Sequence, residues 1–274
     1  MLDVVHNPLF QSVILPFVVA LVVAELFQRL RLSGLAVIAA FCATLFFTYD
    51  FVLWPLTAIR KLELAALIGA ALALVMDYGF KKSRYVFLLP PLIAGLATLW
   101  VLSSAFAQLA PLHKWQYAGG VVLFVVWLAA ACDGFRDDSI KASAAGWGLG
   151  LGAGLAAWFT ASSLPGMFAV SVGCASAAYL FIQIFSDQRL PTGRMFVFPV
   201  CLIAGLAAVA AVMLGKLPWI VLLVLATVPL LVRFTVAKGM SVRGQALLAA
   251  GLASIPAAIS LFIVWRGIEV PAFG

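Results

Sequence analysis

Apolar residues fill ten long runs of this chain, and short polar or Pro- and Gly-containing segments separate the runs. A helix needs about 20 predominantly apolar residues to cross the hydrocarbon core of a bilayer. The pattern therefore predicts an all-α polytopic membrane protein, with about ten transmembrane helices arranged as five helical hairpins in a single transmembrane domain, residues 1–274. The predicted spans are 10–28, 33–50, 62–78, 86–108, 117–133, 144–162, 167–186, 196–214, 218–233 and 245–265.

The segments between the spans are too short for a folded extramembrane domain. Ten spans use roughly 200 residues, which leaves about seven for each connector or tail. This excludes a receptor ectodomain, a kinase, a nucleotide-binding ATPase subunit and a soluble enzyme held by one helix. The opening sequence MLDVVHNPLF contains no Lys or Arg, so we expect the first run to be a retained span and not a cleaved signal peptide.

Basic residues are concentrated in every second connector. The connectors after spans 1, 3, 5, 7 and 9 hold 12 of the 17 Lys and Arg residues, and the other connectors and the tails hold 5. The positive-inside rule then predicts a plasma (inner) membrane protein with both termini on the non-cytoplasmic side. Arg60 and Lys61, in an outer connector, are the exception. An outer aromatic belt is predicted from Trp54, Trp115, Trp219 and Trp265.

The composition agrees with a protein dissolved in lipid. Hydrophobic residues make up 65% of the chain and charged residues 10%, whereas a soluble domain is about half apolar and about a quarter charged. The net charge of +7 lies in short connectors, where anionic headgroups explain it. The predicted partner is the lipid bilayer and not nucleic acid, because no basic groove is available.

Internal repetition is one interpretation of the hairpins. The basic turns recur about every 50 residues, and LIAGLA occurs at 92–97 and again at 202–207, an offset of 110 residues. An offset of two hairpins preserves direction across the membrane, so the repeat would be parallel. The alternative is chance matching within Ala-, Leu- and Gly-rich sequence.

Ionisable residues within spans are costly and often functional, and here they lie near span ends. Asp50 and Glu63 are placed at the outer ends. Four acids are expected at the cytoplasmic ends: Glu25, Asp77, Asp133 and Asp187. They are predicted either to ring an inner vestibule that binds cations or to pair with a basic residue of their own turn, respectively Arg29, Lys81, Arg136 and Arg189.

Uncharged polar residues within spans are the candidate substrate-binding groups. The candidates are Ser103, Ser104 and Gln108 on span 4, Gln183 on span 7, and Thr44 and Thr48 on one face of span 2. Hydrogen bonds between helices, or back to a helix carbonyl, are the alternative interpretation.

Span 6 carries a glycine pattern that indicates close helix packing. Overlapping GxxxG pairs are formed by Gly146, Gly148, Gly150, Gly152 and Gly154. The alternation leaves two faces of the helix without side chains, so we expect close neighbours on both sides. One hypothesis is that a second membrane protein is among these neighbours. Kinks are predicted at the prolines within spans, which are Pro16, Pro90, Pro91, Pro199, Pro229 and Pro256.

No residue pattern indicates a metal site, a cofactor or a catalytic constellation. The four cysteines, Cys42, Cys132, Cys174 and Cys201, lie on different spans without CxxC spacing and are expected to be buried thiols. His6 and His113 stand alone.

Two functions remain. The first is a permease for a small neutral or amphiphilic solute or lipid precursor, and it rests on span number, broken helices and scarce buried charge. The second is a non-catalytic membrane subunit or assembly factor of a larger complex. An intramembrane enzyme is the weakest alternative, because no acid pair, His pair or Ser–His set has suitable spacing.

Overall fold

The computed structural model describes residues 7–30, 32–48, 55–79, 84–160, 163–215, 217–234 and 239–269. Every regular element in these ranges is helical, which confirms the all-α class; the five hairpins and the repeat stay predictions. A π-helical segment, Phe10–Ile14, leads into the first α-helix, and 3₁₀ segments lie at Gln28–Leu30 and Arg84–Leu88. The α-helices in the described ranges are α1 (Leu15–Phe27), α2 (Leu35–Thr48), α3 (Ala58–Gly79), α4 (Leu89–Val101), α5 (Ser103–Ala107), α6 (Pro111–Asp133), α7 (Ser139–Thr160), α8 (Ser163–Ser186), α9 (Arg194–Leu214), α10 (Trp219–Leu225), α11 (Val228–Arg233) and α12 (Val242–Glu269).

The lengths of the helices support a membrane protein. In the described part of the chain, five helical stretches are long and apolar enough to cross a bilayer: Phe10–Leu30, Lys114–Asp133, Leu164–Ser186, Arg194–Leu214 and Val242–Gly267. Three shorter apolar stretches are Leu35–Thr48, Val86–Val101 and Trp219–Arg233. Each predicted span overlaps a helix, and the count of ten crossings stays a prediction.

Helix α9 is the centre of the bundle. Every residue from Arg194 to Ala211 is buried, as expected for a helix that is apolar on all sides. Its most apolar window is 83% buried, compared with 28% for the stretch that contains α1 and 33% for α12. The last two therefore lie at the periphery, where their apolar side chains can face lipid.

The glycines of α7 pack against helices on two sides, which confirms the two-sided packing predicted from their spacing. Added methyl groups at Gly146, Gly150 and Gly154 would collide with α8; at Gly154 the methyl carbon would lie 2.6 Å from the Val170 nitrogen. On the other side, Gly148 and Gly152 face Ala253 and Ala257 of α12. Helices of the same chain therefore cover both glycine faces, which leaves neither face for a second membrane protein.

Four of the prolines within spans lie where a helical stretch is interrupted. Pro16 follows the π-helical segment Phe10–Ile14 in one continuous stretch, Pro90 and Pro91 follow the 3₁₀ segment, and Pro229 follows the break between α10 and α11. Interruptions of this kind accommodate a missing backbone N–H, and a kink at these four positions stays a prediction. Pro199 and Pro256 do lie inside α9 and α12.

The connectors that follow the odd-numbered predicted spans meet at one end of the bundle, which we call the connector end. Hydrogen bonds join residues of all five: Ser33 to Pro191, Met195 to Asp77, Gly193 to Arg136, and Arg243 to Asp187. At the opposite end the contacts are Gln11 with Phe47, Lys61 with Ser103, and Tyr117 with Trp219. This is the arrangement that hairpins with their basic turns on one side require.

Replacing Gly154 by Ala should lower the free energy of unfolding by about 1–3 kcal/mol, because the new methyl group meets fixed backbone of α8. The matched control is Gly251→Ala in α12, where an added methyl group has nothing within 4 Å. That control should be neutral or gain up to about 1 kcal/mol from helix propensity. Thermal unfolding in detergent, followed by tryptophan fluorescence, measures both; equal melting temperatures would contradict the packing.

Candidate functional site

A buried ion pair lies at the centre of the connector end. Arg194, the first residue of α9, donates from Nε to Asp133 Oδ1 at 2.7 Å and from Nη2 to Asp133 Oδ2 at 3.2 Å. The two side chains are 8% and 10% exposed. Arg136 reaches the same carboxylate at 3.3 Å from the solvent side. These three residues and three neighbouring ones form a group that we call the connector cluster; its members are Ser33, Asp77, Asp133, Arg136, Thr192 and Arg194.

The turn before α9 is what brings Arg194 to Asp133. Gly193 has φ +75°, a left-handed conformation that glycine adopts without strain. Its N–H donates to the Arg136 carbonyl at 3.0 Å, and Thr192 Oγ1 donates to the same carbonyl at 2.8 Å. A methyl group at Gly193 would meet the Asp77 carboxylate, so conformation and space both favour glycine here.

Asp77, at the end of α3, caps α9 from outside. One of its carboxylate oxygens accepts the Met195 N–H at 2.9 Å. The N-terminus of a helix has unpaired N–H groups and a partial positive charge, so a carboxylate stabilises it. Ser33, before α2, donates its hydroxyl to the Pro191 carbonyl. The cluster thus ties α2, α3 and α6 to the start of α9.

A second polar group lies deeper, between α7 and α8. Gln183 is fully buried; its Oε1 accepts from Ser139 Oγ at 3.3 Å, and its Nε2 donates to Ser143 Oγ at 3.3 Å. The side chain therefore makes interhelical hydrogen bonds, one of the two roles predicted for it.

The other predicted substrate residues do not converge with Gln183. Ser103, Ser104 and Gln108 are exposed at the opposite end, and Ser103 accepts a hydrogen bond from Lys61 at 2.7 Å. Thr44 is fully buried and its hydroxyl lies 3.1 Å from the Ala40 carbonyl, whereas Thr48 Oγ1 has no partner among the described residues. The structure divides the predicted set between its two ends.

The four acids that were predicted at the cytoplasmic ends, Glu25, Asp77, Asp133 and Asp187, differ in environment. Of the pairings with their own turns, the described contacts include that of Asp133 with Arg136; Lys81 lies outside the described residues. Asp187 instead accepts the Arg243 N–H at 3.2 Å, and exposed Glu25 accepts from Gln28 at 3.1 Å. Asp77 and Asp133 both border the start of α9, so two of the four acids share one site.

Sequence reasoning missed Arg194 and Glu63. Arg194 was counted as a connector residue, although the Thr192-Gly193 turn directly before it signals a tight helix start. Glu63 was placed at an outer helix end, but it is 6% exposed and its Oε1 has no hydrogen-bond partner among the described residues. Both side chains are therefore buried. Asp50, Trp54 and His6 lie outside the described residues.

Cys132, Cys174 and Cys201 are buried as predicted, but Cys42 is exposed and the prediction was wrong for it. Cys42 lies on the peripheral α2, where a small apolar thiol can face lipid. Over the described ranges, no group of three or more His, Cys, Asp or Glu residues could hold a metal ion.

Apolar grooves flank the connector cluster on the outside of the bundle. One of about 710 Å³ has Tyr78 and Leu32 in its wall, each adjacent in sequence to a member of the cluster; its lining is Leu30, Leu32, Leu74, Val75, Tyr78 and Gly79. A second, of about 500 Å³, runs between α1 and α8 and includes Glu25 and Ser186. We call these the α2–α3 groove and the α1–α8 groove.

Neutralising Asp133 alone should be more harmful than removing both charges of the buried ion pair. Asp133→Asn should lower the free energy of unfolding by about 3–5 kcal/mol, because the Arg194 charge stays buried without its partner. Arg194→Gln should lower it less, because Arg136 still pairs with Asp133 at 3.3 Å. The double variant Asp133→Leu/Arg194→Met should lose less than Asp133→Asn.

The surface control for these ion-pair variants is Asp137→Asn. Its side chain is 88% exposed and pairs with Arg136 at 3.3 Å, and exposed pairs contribute about 0–1 kcal/mol. Denaturant unfolding in micelles measures the free energy of unfolding of wild type and of the four variants. Additive losses in the double variant would show that the two side chains do not act as a pair.

No protein-family model matches this chain, and no curated protein sequence matches it. The connector cluster and the grooves beside it are therefore the features that indicate a function.

Proposed function

We propose that this protein is a membrane permease for a small amphiphilic solute or lipid precursor, and that the connector cluster closes one end of its path. The chain crosses the plasma (inner) membrane ten times, with the connector end in the cytoplasm and both termini outside. The observation that carries the proposal is the buried ion pair between Arg194 and Asp133 at the connector end.

A static bundle gains little from such a pair. Removing two charges from water costs several kcal/mol per ion, and apolar side chains of similar volume often stabilise a protein as well or better. Charges inside membrane helices are for this reason usually functional. A pair that opens and re-forms while the helix ends move apart explains why charges are kept where α3, α6 and α9 meet.

The grooves support an amphiphilic cargo. The α2–α3 groove is almost wholly apolar and its wall adjoins the cluster through Tyr78 and Leu32. An acyl-like chain can lie in such a groove while a polar head reaches the charged residues at the connector end. The buried helix faces are mainly alanine and branched aliphatic side chains, which disfavours a strongly hydrophilic solute.

The second candidate, a non-catalytic subunit, is favoured by the hydrogen bonding of the predicted substrate residues. Gln183 and Thr44 are satisfied within the bundle, and the serines of α5 lie at the end opposite Gln183. A protein with only a scaffolding role needs nothing more. The two candidates differ in whether the ion pair is needed for transport or only for the stability of the fold.

The double variant Asp133→Leu/Arg194→Met separates these roles, because we expect it to fold. Purified protein is reconstituted in vesicles that contain an NBD-labelled acyl phosphate, fatty acid or monoacylglycerol, and dithionite quenching reports movement between leaflets. Wild-type protein should accelerate at least one probe, and the double variant should change that rate by about tenfold or more.

The matched control is Arg189→Gln, in a half-exposed arginine that pairs with Asp138 at 3.9 Å; its rate should equal that of wild type. Unchanged rates in the folded double variant would remove the cluster from the path. If no probe is accelerated and gently purified protein carries a stoichiometric partner, the subunit function replaces the permease.

The proposed orientation has its own test. After replacement of the native cysteines, exposed Ser241 at the connector end and exposed Gln116 near the start of α6 are changed singly to Cys. A membrane-impermeant maleimide added to intact cells should label the Gln116→Cys protein and spare the Ser241→Cys protein until the cells are opened. Labelling of both from outside would contradict the threading.

A further inference from the structure

Glu63 is a buried acid at the end of the bundle opposite the connector cluster. It lies in the second turn of α3, next to Lys61, whose Nζ contacts Ser103 of α5 at 2.7 Å. The residue is 6% exposed, and its Oε1 is fully buried without a hydrogen-bond partner in the described part of the chain. A buried carboxyl oxygen left in this state is rare in folded proteins and requires an explanation.

Glu63 and Asp77 lie on nearly the same face of α3. At about 100° per residue, their separation in sequence brings them within about 40° of each other around the helix and about 21 Å apart along it. Asp77 contacts Met195, and Gly69 contacts Phe198 and Leu202. This antiparallel register continues from Glu63 toward the apolar stretch of α9 at 206–210.

The charged and titratable groups around Glu63 are few. The two helices that pack most against α3 are α9 and α4; residues 195–214 of α9 hold one titratable group, the thiol of Cys201, and 89–101 of α4 hold none. On its own helix, Arg60 lies one turn earlier and donates from Nη1 to the Pro55 carbonyl at 2.7 Å. Lys61 is turned to Ser103. The positive charge of Arg60 acts on Glu63 and favours the ionised carboxylate, but burial of the carboxyl group is the larger effect and favours the neutral acid.

We propose that Glu63 is the proton-binding site of this carrier. An ionised carboxylate between apolar helices is costly, and the neutral acid avoids that cost. Release of the proton creates a buried charge that the packing of α3 on α9 does not satisfy, so the two helices must shift to hydrate it. Because Asp77 on the same helix caps α9, that shift is transmitted to the connector cluster. The inference rests on the proposed permease function.

Infrared spectroscopy tests the protonation state directly. The spectrum of wild-type protein in nanodiscs at about pH 7 should contain the C=O stretching band of a protonated carboxylic acid, and this band should be lost in Glu63→Gln. The control Asp137→Asn removes an exposed acid and should instead reduce the carboxylate bands. Loss of carboxylate bands in Glu63→Gln would show that Glu63 is ionised and would overturn the proposal.

Coupling is tested with the vesicle assay and the NBD probe that wild type moves. A gradient of about one pH unit should alter the wild-type rate by up to about tenfold. Glu63→Gln should remove this dependence, and Asp137→Asn should keep it. A gradient effect that survives in Glu63→Gln overturns the proton site and leaves the permease standing. If wild type moves no probe, the permease function fails, and the infrared result alone decides whether Glu63 holds a proton.

Discussion

The constraint on which the rest of the structure depends is that Arg194 and Asp133 must satisfy each other away from water. Leaving either charge buried without a partner would cost about 3–5 kcal/mol. Together they fix the start of α9 against the end of α6 at 2.7 Å, and Asp77 fixes the same helix start against α3. Three helices that are distant in sequence are thus held in register by polar contacts, while apolar contacts, which are less directional, fill the space between them.

The position of α9 follows from its sequence and from this anchoring. Between Arg194 and Leu214 the helix is apolar on every face, so it has no side that prefers a polar environment and can be surrounded by other helices. The close approach of α7 and α8 through facing glycines, Gly150 against Gly173 among them, brings two more helices together beside it. Charge therefore sets the register of the bundle, and small residues set how tightly it closes.

The sequence predicts much of the fold because a helix that crosses a bilayer needs a long run of apolar residues. Runs of apolar residues mark the helices, and the glycine spacing of span 6 shows which of its faces pack closely. The site is less predictable, because Arg194, Asp133 and Asp77 are distant in sequence and only the fold brings them together. A count of basic residues treats Arg194 like Arg189, although one is buried and the other half-exposed. Glu63 does lie near an end of its helix, as predicted, but proximity to a helix end does not show whether a side chain is buried.

Helix α3 is the element that a purely structural role explains least well. It carries a carboxylate at each end of nearly the same face, one satisfied by the N-terminus of α9 and the other with an unpaired oxygen. If α3 served only to pack, a Leu or Met at position 63 would fill the space and avoid the polar cost. Under the proton site proposed above, an unsatisfied acid at one end and a carboxylate cap at the other couple the contact of α3 with α9 to protonation. Alternating access in the proposed permease needs a helix pair with two arrangements of similar energy, and α3 with α9 is the pair that we propose for it.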